Sequence, residues 1–147
     1  MRRTAAFVVP VFSVVLAAIA GNARAQTASI WDGVYTDTQA ARGNAGFAVH
    51  CLNCHGADLG GTGEAPALTG PRFLSDFDGL SLGDVFDRIR TTMPQDNPGS
   101  LTRDQVADIL AFLLKANAVP PGPKELDRRS EFLKAIGFSA ANPSPGR

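Results

Sequence analysis

The chain has 147 residues, with 14 basic against 14 acidic side chains and 44% hydrophobic residues. These proportions suit one globular domain and exclude a disordered or fibrous chain. They also leave no basic footprint of the kind nucleic-acid binding needs.

The first 25 residues are expected to be a cleaved signal peptide. Arg2 and Arg3 form a positive start, Ala5 to Ala20 an apolar stretch, and Ala23-Arg24-Ala25 a small-x-small cleavage site. The apolar part is shorter than the roughly 20 residues a spanning helix requires, so export to the periplasm is expected and stable membrane insertion is not. Losing Arg2, Arg3 and Arg24 leaves 11 basic and 14 acidic residues, a net charge of −3. Such a surface suits a partner with a positive patch.

Beyond the leader, Thr36 to His50 is Ala-rich and opens on cap-capable Thr36 and Asp37, which predicts a helix. His55 to Pro71 holds five glycines and two prolines and reads as a loop. Leu80 to Thr91 reads as helical, with Ser81-x-x-Asp84 as capping box and Leu82, Val85, Phe86 and Ile89 on one face. That helix should end at Met93-Pro94, because a residue before proline is pushed out of the α region. The clearest helix is Thr102 to Asn117: Thr102-x-x-Gln105 caps it, and Val106, Ile109, Leu110 and Leu113 give it an apolar stripe that Phe112 widens. Pro120-Pro121-Gly122-Pro123 breaks the chain. A short terminal helix is expected over Lys124 to Ile136, with Leu126, Leu133 and Ile136 as its apolar points, and Ser139 to Arg147 reads as unstructured. No segment alternates long enough to predict a sheet. The expected division is 1–25 leader, 26–120 main domain and 121–147 C-terminal extension.

Both cysteines lie in one segment, Cys51-Leu52-Asn53-Cys54-His55. A disulfide would suit an exported protein, yet would leave the adjacent histidine as coincidence. Random scattering of two Cys and two His gives this pattern roughly once in five thousand chains, so the haem-attachment reading is preferred. Two thiols add to the two vinyl groups of a haem, the two-residue gap puts both sulfurs on one ring edge, and His55 falls beneath the iron as its ligand. The other ring nitrogen of His55 should then donate to a carbonyl. Met93 is the only methionine after the leader and sits in a polar loop, Thr91 to Asn97, beyond the apolar face of its helix. Methionine is ordinarily a pliable core filler, but here the sixth ligand position accounts for it better, Met/His being an electron-transfer pair. His50 directly precedes Cys51 on the proximal side and is expected at the surface or beside the site, not on the opposite face of the ring.

With these residues in place, the chain resembles the class I c-type cytochromes, in particular the small periplasmic monohaem cytochromes that partner bacterial dehydrogenases, some of them quinoproteins. The resemblance runs from about Trp31 to Asn117. Gly43-x-x-x-Phe47 looks like the family's N-terminal helix, where the glycine admits the C-terminal helix. Ala65-Pro66-Ala67-Leu68-x-Gly70 looks like the loop whose proline carbonyl receives the proximal histidine N–H and whose leucine covers the haem. Thr91-Thr92-Met93-Pro94 resembles the distal ligand loop. The resemblance implies an all-α, cytochrome c-like fold of three to five helices around one haem c, held by Cys51 and Cys54 with Pro66 and Leu68 beside it and His55 and Met93 on the iron.

The expected function is electron transfer from a periplasmic dehydrogenase to a terminal oxidase or another cytochrome, with no catalytic residue of its own. A fixed subunit of one dehydrogenase complex is the nearer alternative. A haem enzyme or gas binder with an open distal position is the further one, and a thiol–disulfide oxidoreductase would need a βαβ pattern the chain lacks. Gly60-Gly61-Thr62-Gly63 has no Gly-Lys-Ser/Thr ending and is not a phosphate loop. Asp76, Asp78, Asp84 and Asp87 lack the spacing of a calcium loop and read as a solvated face. Arg72, Arg88 and Arg90 are candidates to meet the haem propionates.

Overall fold

The computed structural model describes residues 28–143. The predicted leader and residues 144–147 lie outside them. Six helices carry the described residues: α1 Asp37–His50, α2 Leu52–His55, α3 Gly70–Asp76, α4 Leu82–Thr92, α5 Arg103–Ala116 and α6 Ser130–Leu133. Two of the six, α2 and α6, are single turns. One strand pair joins the ends of the described chain, β1 Ala28–Ser29 running parallel to β2 Ile136–Gly137.

The helix starts follow from side-chain caps. Thr36 accepts the Gln39 N–H at α1, and Ser81 and Thr102 form reciprocal capping boxes with Asp84 and Gln105 at α4 and α5. The α4 box holds the Asp84 carboxyl below its ordinary value, chiefly through the Ser81 hydroxyl. A lowered folded-state pKa adds stability above the unfolded value and loses it as pH falls through the folded one. Replacing Ser81 by alanine should therefore cost about 1 kcal/mol at neutral pH. Denaturant melts should show the gap to wild type narrowing once Asp84 is protonated.

Helices α1 and α5 form the frame. Gly43 is buried where the two cross, and a methyl group there would overlap the Asp108 carbonyl and come within 2.9 Å of Phe112 Cβ. Phe47 and Phe112 meet beside the crossing with ring centroids 5.3 Å apart. Arg42 clasps Asp108 through two hydrogen bonds of 2.9 Å and also reaches Glu125 at 2.9 Å.

The segment after Pro120 is part of this core. Gly122 donates to the Tyr35 carbonyl at 2.6 Å, and Gln39 exchanges two hydrogen bonds with the Leu126 backbone. Leu126, Leu133 and Phe138 are buried, and Phe138 packs against the paired rings of Phe73 and Phe77. The helix expected over Lys124 to Ile136 shrinks to the single turn Ser130–Leu133, the Leu126 backbone being bonded to the Gln39 side chain on α1 instead. Even Ser139 and Ala140, expected to be unstructured, are held: Trp31 Nε1 donates to the Ser139 carbonyl at 2.9 Å, and the Ala140 N–H to Asp78 at 2.8 Å. Helix α3 falls where no helix was expected, Pro71 standing in its first turn where a missing N–H costs nothing.

Candidate haem site

Cys51 closes α1 by donating its N–H to the Phe47 carbonyl, and its own carbonyl then accepts from both Cys54 and His55, at 3.2 and 2.9 Å. The motif is thus one helical turn, with Cys51, Cys54 and His55 at i, i+3 and i+4 on one face. Both thiols are free, Cys51 half-buried and Cys54 exposed. Burial, and after it the neighbouring Cys54, push the Cys51 thiol up to about 11.

His55 is buried, and its Nδ1 lies 2.9 Å from the Pro66 carbonyl. Because a carbonyl only accepts, the proton sits on Nδ1 and Nε2 is left with its lone pair for a metal. The loop that delivers Pro66 is folded tightly beneath the motif. Gly61 donates to the His55 carbonyl at 2.9 Å, and Thr62 Oγ1 to the Cys54 carbonyl at 2.6 Å. Gly61 has φ of 78°, and a side chain there would overlap the Ala65 carbonyl. The glycine run is therefore a compact turn, not the pliable loop geometry its composition suggests.

Leu68 is half-buried against the core, tied back by its N–H to the Leu59 carbonyl at 2.8 Å. Met93 is half-buried at the end of α4, where its backbone has turned extended (ψ of 151°) before Pro94. His50 leans the other way, 3.4 Å from Gln105 on α5. Of the arginine candidates, Arg72 pairs with Asp76 at 2.9 Å and Arg88 lies over the Phe77 ring. Arg90 Nε is buried with no hydrogen-bond partner among the described residues, its nearest carboxylate, Asp87, being 3.9 Å away. The four aspartates disperse: Asp76 goes to Arg72, Asp78 to the Ala140 N–H and Asp84 to Ser81, while Asp87 lies between Arg90 and Lys134. Among the described residues no cluster of three His, Cys, Asp or Glu side chains is placed to hold a metal ion. A cleft beside α1, lined by Gln39, Arg42, Asp108, Glu125 and Arg128, contains none of the motif residues.

The donor set fits a covalent haem. Two free thiols and a histidine share one helical turn, the ring is already oriented by a carbonyl, and a buried arginine nitrogen has no hydrogen-bond partner, a place that a propionate would fill. Sequence reasoning missed Gly61, Thr62 and Asn117, which shape the loop; only the glycine left a local trace.

Residues 38–113 match the family described as cytochrome c oxidase, cbb3-type, subunit III. The match covers just over half of the chain, which belongs to this family and is a class I c-type cytochrome, an electron-transfer protein carrying haem c. Among solved structures, the sulfane dehydrogenase SoxCD of Paracoccus pantotrophus shares the fold, with 24% identity and a TM-score of 0.50 over 78% of this chain. The chain spans 66% of the SoxCD chain it matches. No curated protein matches the sequence. No helix among the described residues is long and apolar enough to cross a membrane.

Proposed function

We propose that the protein is a monohaem carrier of the periplasm, taking single electrons from a dehydrogenase and passing them to a terminal oxidase or another cytochrome. Cys51 and Cys54 would hold the haem, and His55 and Met93 would ligate its iron. The observation that carries this reading is the His55 ring, fixed on the Cys51–His55 turn by the Pro66 carbonyl.

The haem, when bound, supplies an iron that changes oxidation state by one electron. The chain's own residues do the rest. His55 and Met93 would both hold the iron, which would leave no place for an exogenous ligand. Met93 favours the ferrous state, and Leu68, half-buried beside the proximal loop, lowers the local polarity. The Val49 side chain, 74% exposed on the helix that precedes the motif, marks the edge where a small transient contact would form. Arg90 offers its buried Nε to a propionate.

Intact-mass measurement of protein matured in a competent host should show one added haem, absent when both cysteines are replaced by alanine. Carbon monoxide titration of the reduced protein should leave the spectrum unchanged. A haem-free wild-type protein would overturn the reading, and ready formation of a carbon monoxide complex would turn it into a gas binder or haem enzyme. A fixed subunit of one dehydrogenase takes its support from the SoxCD fold, and a stable complex copurifying from periplasm would favour it over a free shuttle.

A further inference from the structure

We propose that Asn117 is a positioning residue for the haem, acting through the loop that orients His55. The inference rests on the reading of His55 as the proximal ligand.

Asn117 ends α5, 62 residues beyond His55 in the chain. It is buried, and its amide is fully engaged. The side-chain carbonyl accepts the Gly70 N–H at 2.9 Å, while Nδ2 donates to the Leu68 carbonyl at 3.0 Å and the Leu113 carbonyl at 2.8 Å. One amide thereby grips both sides of Thr69 and ties that stretch to the last turn of α5. An asparagine caps a helix end without help from such a loop; here two of its three hydrogen bonds go to the loop.

The loop held in this way is the one that carries Pro66. It is pinned at its near end by the hydrogen bonds of Gly61 and Thr62 to the motif. At its far end Leu68 bonds back to Leu59, and beyond it Asn117 is the anchor to the helical frame. The Pro66 carbonyl lies between the two anchors. Releasing the far one lets that carbonyl move relative to His55 Nδ1, whose 2.9 Å contact fixes the ring and raises its basicity as a ligand. A more basic imidazole favours ferric iron, so a loosened contact favours ferrous iron.

The test compares Asn117→Leu with Gln39→Met, both as haem-loaded protein. Each change removes a buried amide that grips backbone from another segment, but Gln39 holds Leu126 of the strap, not the haem loop. Asn117→Leu should shift the ferrous/ferric equilibrium about tenfold toward ferrous, the lower end of what loss of an outer-shell partner does, or about 59 mV upward in midpoint potential for one electron. The His55 Nδ1 proton, followed by NMR of the reduced protein, should exchange at least tenfold faster. Gln39→Met should lower stability and leave both readouts at the wild-type value. An unmoved potential and proton in Asn117→Leu would overturn the proposal, and so would an equal movement in Gln39→Met. If Asn117→Leu does not mature, Asn117→Ser, too short to reach Gly70, carries the same expectations. Wild-type protein lacking covalent haem would instead defeat the cytochrome reading itself, before any variant is compared.

Discussion

Alanine at Gly43 should destabilise the protein by about 2 kcal/mol or more, while alanine three residues later at Gly46 should change it by less than about 0.5 kcal/mol. Both substitutions gain about 1 kcal/mol of helix propensity. At Gly46 the added methyl meets only Ile109, with Cγ1 at 3.2 Å and Cδ1 at 3.5 Å, so that buried side chain must shift by a few tenths of an ångström, which offsets the propensity gain. At Gly43 it meets the Asp108 carbonyl, which is backbone in the middle of α5 and cannot shift in that way. The two helices must part, loosening the Phe47–Phe112 contact and the Arg42–Asp108 pair on either side. Overpacking of a rigid contact costs 1–3 kcal/mol and sometimes more, and helix separation puts this site at or above the top of that range. The steric cost therefore exceeds the propensity gain. Thermal melts of the haem-loaded protein should show Gly43→Ala lowered by roughly 8 °C at about 4 °C per kcal/mol, with Gly46→Ala close to wild type. Equal melting of the two variants would mean that the crossing is not tight.

The features that sequence reasoning reached are those written in short range. A capping box needs residues three apart, so Thr102–Gln105 and Ser81–Asp84 are visible as letters and stand as hydrogen bonds in the fold. Cys51 to His55 is likewise a local pattern, and one helical turn realises it. Gly43 is visible only through the family resemblance, because a buried helical glycine and a tolerated one look alike in a single chain. What escaped has partners far away. Asn117 reads as a stop signal for α5, and nothing near it in sequence shows that its amide grips Leu68 and Gly70. The strap after Pro120 has no period to detect. Leu126, Leu133 and Phe138 enter the core singly along an irregular path, and its polar anchors come from Tyr35, Gln39 and Asp78. The stretch Trp31 to Tyr35 packs across the fold, with Tyr35 OH donating to the Val119 carbonyl at 2.5 Å. Burial foremost, and secondarily Asp37, push that phenol up to about 12, so it remains a donor throughout the physiological range.

Replacing Met93 by leucine should remove the far-red thioether-to-iron absorption band, lower the midpoint potential and open the reduced protein to carbon monoxide. Leucine is the informative choice because it nearly conserves volume: a methionine that only filled space would lose less than about 1.5 kcal/mol and change no spectrum. Met93 is half-buried, and its main chain turns extended as α4 ends, so it is not continuing the buried stripe of Leu82, Val85 and Phe86. What distinguishes it from those residues is the sulfur. Thioether ligation favours ferrous iron, and its loss should drop the potential by on the order of 100 mV, a fraction of the roughly 0.8 V over which axial ligands set haem potentials. The same variant separates a carrier from a gas binder. If wild-type protein resists carbon monoxide and Met93→Leu accepts it, the methionine is what closes the distal side. If the band, the potential and the carbon monoxide response are all unchanged, Met93 is packing, and the sixth position must be assigned elsewhere.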